Sequence, residues 1–147
     1  MTISKGYFKP KNISKYKGNP TEIIYRSSWE FKYMMKLDAD PSVIKWSSEE
    51  VIVPYISPED KKIHRYFVDF YVEKINKEGK IEKFLIEIKP AHQCKQPSIQ
   101  KKKTKKYIKE VTTWGINNSK WSSATDYCKS RGWKFQILTE VELGIKI

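Results

Sequence analysis

A chain of 147 residues suits one domain and is long enough to bury roughly 70% of its exposable surface on folding. With 39% hydrophobic and 31% charged residues, it is too apolar for a disordered chain. Its 29 Lys+Arg against 17 Asp+Glu give a net charge of +12, which points to a polyanionic partner, nucleic acid before an acidic membrane surface.

Residues 1–20 are rich in Lys, Gly, Pro, Asn and Ser, with Ile3, Tyr7, Phe8, Ile13 and Tyr16 interspersed. They read as a basic, weakly structured N-terminal arm ahead of a single domain over 21–147. Thr21 reads as an N-cap region. Trp29, Tyr33 and Leu37 recur at four-residue spacing, with Phe31, Met34 and Met35 widening the apolar face. That pattern predicts a helix over 27–38, ended by Asp38, Asp40 and Pro41. Val43–Trp46 leads to a longer strand-like run, Glu50–Ile56; 57–61 reads as a turn and His64–Val72 as a second strand. Asn76–Gly79 is a hairpin loop leading into Ile81–Lys89, with Phe84, Ile86 and Ile88 on one face and Leu85, Glu87 and Lys89 on the other.

Beyond Pro90 a lysine-rich helix is expected from Ser98 to about Val111, burying Ile99, Thr104, Tyr107, Ile108 and Val111. A second helix, Ser119–Lys129, would bury Trp121, Ala124, Tyr127 and Cys128 before Gly132 stops it. Trp133–Leu138 is a last strand and Thr139–Leu143 a capped helical turn. Helix, three-strand meander, helices and strand together predict an α/β (α+β) fold, a central mixed β-sheet flanked by helices.

Missing motifs narrow the chemistry. Cys94 and Cys128 do not form a CxxC pair, and two histidines, His64 and His92, are too few for a typical structural zinc site. No 18-residue apolar run marks a membrane span, so no membrane partner is expected. Neither GxxxxGK[ST] nor GxGxxG occurs, so no nucleotide cofactor is expected. The cysteine usage suits a reduced, cytosolic protein.

The residues that carry chemistry lie in the hairpin from His64 to Lys89. An acid deep in an apolar strand is costly unless it is paired or binds a metal. Glu87 and Lys89 are two apart and share a face of the strand, where Asp69 on the neighbouring strand can meet them. Two carboxylates beside an ammonium form a hard oxygen site suited to Mg²⁺, leaving the lysine to touch substrate or water.

Asp69…Glu87-x-Lys89, preceded by a helix bearing Glu30, resembles the PD-(D/E)xK nuclease superfamily. The wider set is similar to the head completion nucleases of T4-type tailed bacteriophages. It comprises Tyr25-Arg-Ser-Ser-Trp-Glu30, Trp46-Ser-Ser-Glu-Glu50, Pro54-Tyr55, Phe67-Val-Asp-Phe70, Ile86-Glu-Ile-Lys-Pro90, Trp121 and Trp133-Lys-Phe-Gln-Ile-Leu-Thr-Glu140. One departure is Val68, where the superfamily's name has proline. The resemblance implies a restriction-endonuclease-like core and a metal-dependent DNA endonuclease using Mg²⁺, with Mn²⁺ able to substitute. It implies Asp69 and Glu87 as metal ligands, Glu30 as a third acid acting directly or through water, and Lys89 as stabiliser of the transition state or orienter of water. It further implies action after DNA packaging in the infected bacterial cell or on the virion, with phage head, portal or neck proteins as partners.

Outside this cluster, Arg26 stands ahead of the first helix, to clamp a phosphate or to pair with an acid. Glu49 and Glu50 either join the acid cluster or lie on the surface. Lys95 and the run Lys101–Lys106, with Lys102, Lys105 and Lys106 foremost, suit contact with a phosphate backbone. Two alternatives stand beside the nuclease. One is a non-catalytic basic plug at the capsid portal. The other is a junction-resolving or transposon-end nuclease on the same fold, for which a homodimer would supply paired sites.

Overall fold

The computed structural model describes residues 5–145. Elements in chain order are β1 (Gly6–Tyr7), a 3₁₀ turn (Ile13–Lys15), β2 (Ile24–Tyr25), α1 (Ser28–Ala39), β3 (Val43–Ser48), β4 (Ile52–Ile56), β5 (Ile63–Phe67) and β6 (Phe70–Ile75). They continue with β7 (Ile81–Ile88), a second 3₁₀ turn (Ala91–Cys94), α2 (Lys105–Arg131), β8 (Lys134–Leu138) and α3 (Glu140–Leu143). The central sheet has the order β3-β6-β7-β8. Its first three strands are antiparallel, and β8 runs parallel to β7 after the α2 crossover.

Side-chain alternation divides this sheet between two cores. Phe70, Val72, Ile86 and Ile88 pack with Trp29, Tyr33, Met34 and Leu37 of α1. Tyr71 and Leu85 pack with Trp121, Ala124 and Cys128 of α2. The sheet is therefore covered on both faces, the expected mixed α/β arrangement with a restriction-endonuclease-like core. Among the described residues, no helix is long and apolar enough to cross a membrane.

Local signals hold where the chemistry is local. Ser27, rather than Thr21, caps α1, its hydroxyl accepting from the Glu30 amide at 3.2 Å. Gly132 ends α2 in the left-handed region at φ 71°. Thr139 and Glu142 complete a reciprocal capping box.

Three expectations are corrected. The N-terminal segment is not a loose arm along its described length. Gly6–Tyr7 pairs with Ile24–Tyr25, and Phe8 and Tyr16 are buried in the α1-side core. The Asp38 carboxylate accepts from the Lys11 and Asn12 amides at 2.9 and 3.1 Å. Lys15 Nζ donates to the carbonyls of Leu37, Asp38 and Asp40 at 2.8–2.9 Å, a cation placed on the negative end of α1.

The two helices expected after Pro90 are one 27-residue helix that begins at Lys105, with Thr104 as its N-cap. Gly115 costs such a helix only about 1 kcal/mol relative to alanine, which is too little to interrupt it. Ile99 lies outside the helix, and Ile108 and Val111 are exposed, so none of the three belongs to a buried side.

The single strand expected from His64 to Val72 is two strands. β5 pairs with β4 in a separate two-stranded sheet, while β6 belongs to the central one. The break is a change of register. Ser48 pairs with Phe70, yet Ile52 pairs with Phe67, which leaves one extra residue on the β3–β4 side. Glu49 absorbs it at φ 56°, in a left-handed conformation uncommon for a residue with a side chain. Such bulges bend a ribbon and re-aim the side chains beside them. Here the bend carries β4 and β5 off the central sheet and onto α2, where Val53, Tyr55 and Tyr66 join Trp121.

Candidate active site

Asp69 sits at this bend, flanked by hydrogen bonds from the Glu49 amide to the Asp69 carbonyl and from the Val68 amide to Val51, both 3.1 Å. Continuing the β6–β7 register (Phe70 opposite Ile86) places Asp69 opposite Glu87. The Asp69 carboxylate accepts from the Ile88 amide at 2.8 Å, fixing it against β7. Glu87 is 6% exposed. Its carboxylate accepts from the Tyr66 hydroxyl and lies 3.7 Å from Lys89 Nζ. The period-2 argument thus holds: Asp69, Glu87 and Lys89 meet on one face.

Glu30, in the first turn of α1, completes the group electrostatically. Its carboxylate accepts from the Arg26 amide at 3.3 Å. Burial pushes Glu30 above its ordinary value, and the charges of Glu49 and Glu87 push the same way. Asp69 is held well above the usual carboxylate range by burial, then by the charges of Glu87 and Glu30. Burial also raises Glu87, against the Tyr66 hydrogen bond and the charges of Lys89 and Lys120. Three carboxylates whose ionisation burial and their acidic neighbours oppose, even with Lys89 and Lys120 nearby, are a donor set short of positive charge. That is the chemistry a hard divalent cation satisfies. Among the described residues no group of three or more His, Cys, Asp or Glu is placed to hold a metal ion. An Asp69–Glu87 pair with Glu30 behind it instead suits an ion such as Mg²⁺, which keeps several waters.

The remaining candidates lie around this centre. Arg26 is exposed and engages Glu49 through both Nε (3.1 Å) and Nη2 (3.3 Å). Of the adjacent acids, Glu49 faces Glu30, whereas Glu50 is exposed near Gly18. Lys95 is exposed on the segment after β7. Lys102 precedes α2, and Lys105 and Lys106 form its exposed first turn.

Three contributors escaped the sequence reading. Tyr66 of β5 reaches Glu87 only because β5 leaves the sheet at Asp69. Lys120, amid the apolar face of α2, lies over the Tyr55 and Tyr66 rings at 5.8 and 5.5 Å. Glu140, buried at the start of α3, accepts from the Ala91 amide at 2.7 Å and pins the chain just beyond Lys89. An isolated lysine among aromatics was the only available signal for Lys120, and nothing local distinguished the other two.

Tyr66→Phe leaves a buried Glu87 oxygen without its donor and raises that carboxyl further. The expected result is a fall in cleavage of about 10–100-fold, the usual cost of losing such a supporting hydrogen bond. The acid limb of the pH–rate profile should move to higher pH. An unmoved limb would show that Glu87 does not need this bond.

A bent ribbon that sets two acids and a lysine on a helix-flanked mixed sheet defines a nuclease of the restriction-endonuclease-like class. The chain belongs to the TnsA-like endonuclease family, whose model, described as the TnsA-like endonuclease N terminal, matches residues 40–140. Over 139 residues it is also 39% identical to the head completion nuclease of Enterobacteria phage T4, in a match covering 92% of this chain and 90% of that protein.

Proposed function

We propose that this protein is a Mg²⁺-dependent DNA endonuclease that hydrolyses phosphodiester bonds during completion of a phage head. The observation that carries the reading is the meeting of Asp69, Glu87 and Lys89 at the ribbon bend, with Glu30 opposing their charge. The likeness to the T4 head completion nuclease supports the biological setting.

Asp69 and Glu87 would hold the ion, with Glu30 joining directly or through water. A bound Mg²⁺ would supply charge neutralisation at the scissile phosphate and a lowered pKa for its water. The chain's own residues provide the rest. The Ile88 amide and the Tyr66 hydroxyl each hold one carboxylate in place. Lys89, half-buried beside Glu87, puts a positive charge where the phosphoryl oxygens gain negative charge in the transition state. Glu30, raised by burial and its acidic neighbours, is poised to take a proton from the attacking water.

Binding of DNA draws on the exposed lysines. Lys105 and Lys106 occupy the first turn of α2, and that turn holds no acidic residue. Cations at a helix N-terminus oppose its dipole, so their placement favours an external anion over helix stability. Replacing Lys102, Lys105 and Lys106 together by alanine should weaken binding to all DNA sequences. It should also flatten the salt dependence by up to ~0.9 in log–log slope for each lysine that meets a phosphate. An unchanged slope in a fluorescence-anisotropy titration would leave these lysines merely solvated.

The direct test incubates the protein with supercoiled and linear DNA in Mg²⁺, Mn²⁺ or EDTA. Metal-dependent cutting is expected. Binding without cutting under either metal would favour the basic plug instead.

A further inference from the structure

Three residues beyond Lys89 the chain forms one wall of a groove of about 650 Å³. His92, Lys95 and Gln96 stand on that side, and Lys109, Trp114 and Asn117 of α2 stand on the other. The wall is anchored by the bond from the Ala91 amide to Glu140 and by the bond from the Gln93 amide to the Pro90 carbonyl, 2.9 Å.

Asn117 is only 6% exposed. No hydrogen bond from a described residue engages its carboxamide, and its polar atoms are not among the fully buried unpaired ones, so they reach solvent at the groove it lines. A carboxamide not committed to a protein partner is open to a ligand with matching groups. The amide presents donors and an acceptor together, the complement of a nucleobase edge. Trp114, half-buried in the same wall, meets Trp121 at 6.1 Å and 81° and packs partly against the α2-side core, and its remaining surface lines the groove. Lys95 and Lys109 supply charge for a phosphate. Three residues span at most about 11 Å, so the groove begins within about three nucleotides, at 3.4 Å rise each, of the catalytic lysine.

We propose that this groove holds an unpaired nucleotide of the DNA, its base on Trp114 and Asn117 and its phosphate on Lys95 and Lys109. A base inside a duplex is stacked on its neighbours and cannot enter. The site therefore selects DNA with a single-stranded end or gap beside the cleavage position. This rests on the nuclease reading above.

The test is equilibrium binding in EDTA, which prevents cutting, of a blunt 20-base-pair duplex (about two turns), of the same duplex with a short single-stranded extension, and of that extension made abasic. Phosphate number is equal in the last two. The full chain should bind the base-bearing extension about tenfold more tightly than the abasic one, within the range for base–aromatic stacking. Asn117→Ala, which leaves the Trp114 surface in place, should reduce this preference several-fold while leaving affinity for the blunt duplex unchanged. Asn117→Asp, which keeps the shape but loses the donors, should do the same. Equal affinity for the two extensions, or a preference undiminished by both substitutions, overturns the groove assignment alone. Tighter binding of free deoxynucleoside monophosphate than of the extended duplex overturns its assignment to DNA. Failure to bind any of the three DNAs overturns the nuclease reading as well.

Discussion

Glu87→Gln should reduce cleavage on the order of 10³-fold, the scale on which removing a central electrostatic contributor acts, without lowering stability. Ordinarily, deleting one partner of a buried polar group is costly. Here the deleted charge faces Asp69 and Glu30, both already pushed above their usual range, and glutamine can still accept from the Tyr66 hydroxyl. The metal-free variant should therefore melt at or above the wild-type temperature at neutral pH. Lys89→Ala should also abolish cutting, because it removes the ammonium rather than a ligand.

The pH dependence has a definite sign. Carboxyls raised in the folded state keep protons that the unfolded chain releases above about pH 4. Their contribution to stability is complete below that value and is lost as pH rises through the folded-state values of Asp69, Glu87 and Glu30. Glu87→Gln removes one such group and relieves another, so its stability should fall less steeply over that window. A divalent cation should raise the wild-type melting temperature, by about 2.7 kcal/mol of stability at a hundredfold excess over its Kd, and leave Glu87→Gln largely unmoved. Calorimetry with and without Mg²⁺ reads this independently of cutting. Equal stabilisation of both proteins would remove Glu87 from the metal site.

Trp46→Ala should be the most damaging single change to the fold, costing about 3–5 kcal/mol of a total stability on the order of 5–15 kcal/mol. Trp46 is fully buried on β3. Its ring meets Phe8 at 5.8 Å, Tyr16 at 4.8 Å and Phe70 at 6.4 Å. It thereby joins the N-terminal segment to the central sheet at the start of β6, directly after Asp69. Trp46→Phe keeps the ring contacts and removes an indole N–H that has no partner, so it should cost far less. Urea unfolding followed by circular dichroism separates the two. A small loss for alanine would mean that the N-terminal segment contributes little to the core.

Local physics made much of this protein legible from residue order. The four-residue spacing of Trp29, Tyr33 and Leu37 located α1, because an amphipathic helix must recur near 3.6 residues. Gly132 and the Thr139–Glu142 box marked helix ends, because caps answer backbone groups that any helix leaves unpaired. Glu87 and Lys89 shared a face because strands repeat every two residues, and the resemblance supplied Glu30.

Tertiary structure decided the rest. Alternation from His64 to Val72 looks the same whether one strand or two is present. Only the register change against β3 and β4, absorbed at Glu49, separates β5 from β6 and turns Asp69 and Tyr66 toward Glu87. Phe8 and Tyr16 are sparse apolar residues among lysines, and what buries them is Trp46, thirty or more residues away. The lysine-rich stretch up to Lys103 stays outside α2 because its apolar residues find no surface to cover. Sequence periodicity reports which way a side chain points along its own element. Which elements pair, with what offset, depends on contacts between residues far apart in the chain, and the acid cluster exists only once those contacts are made.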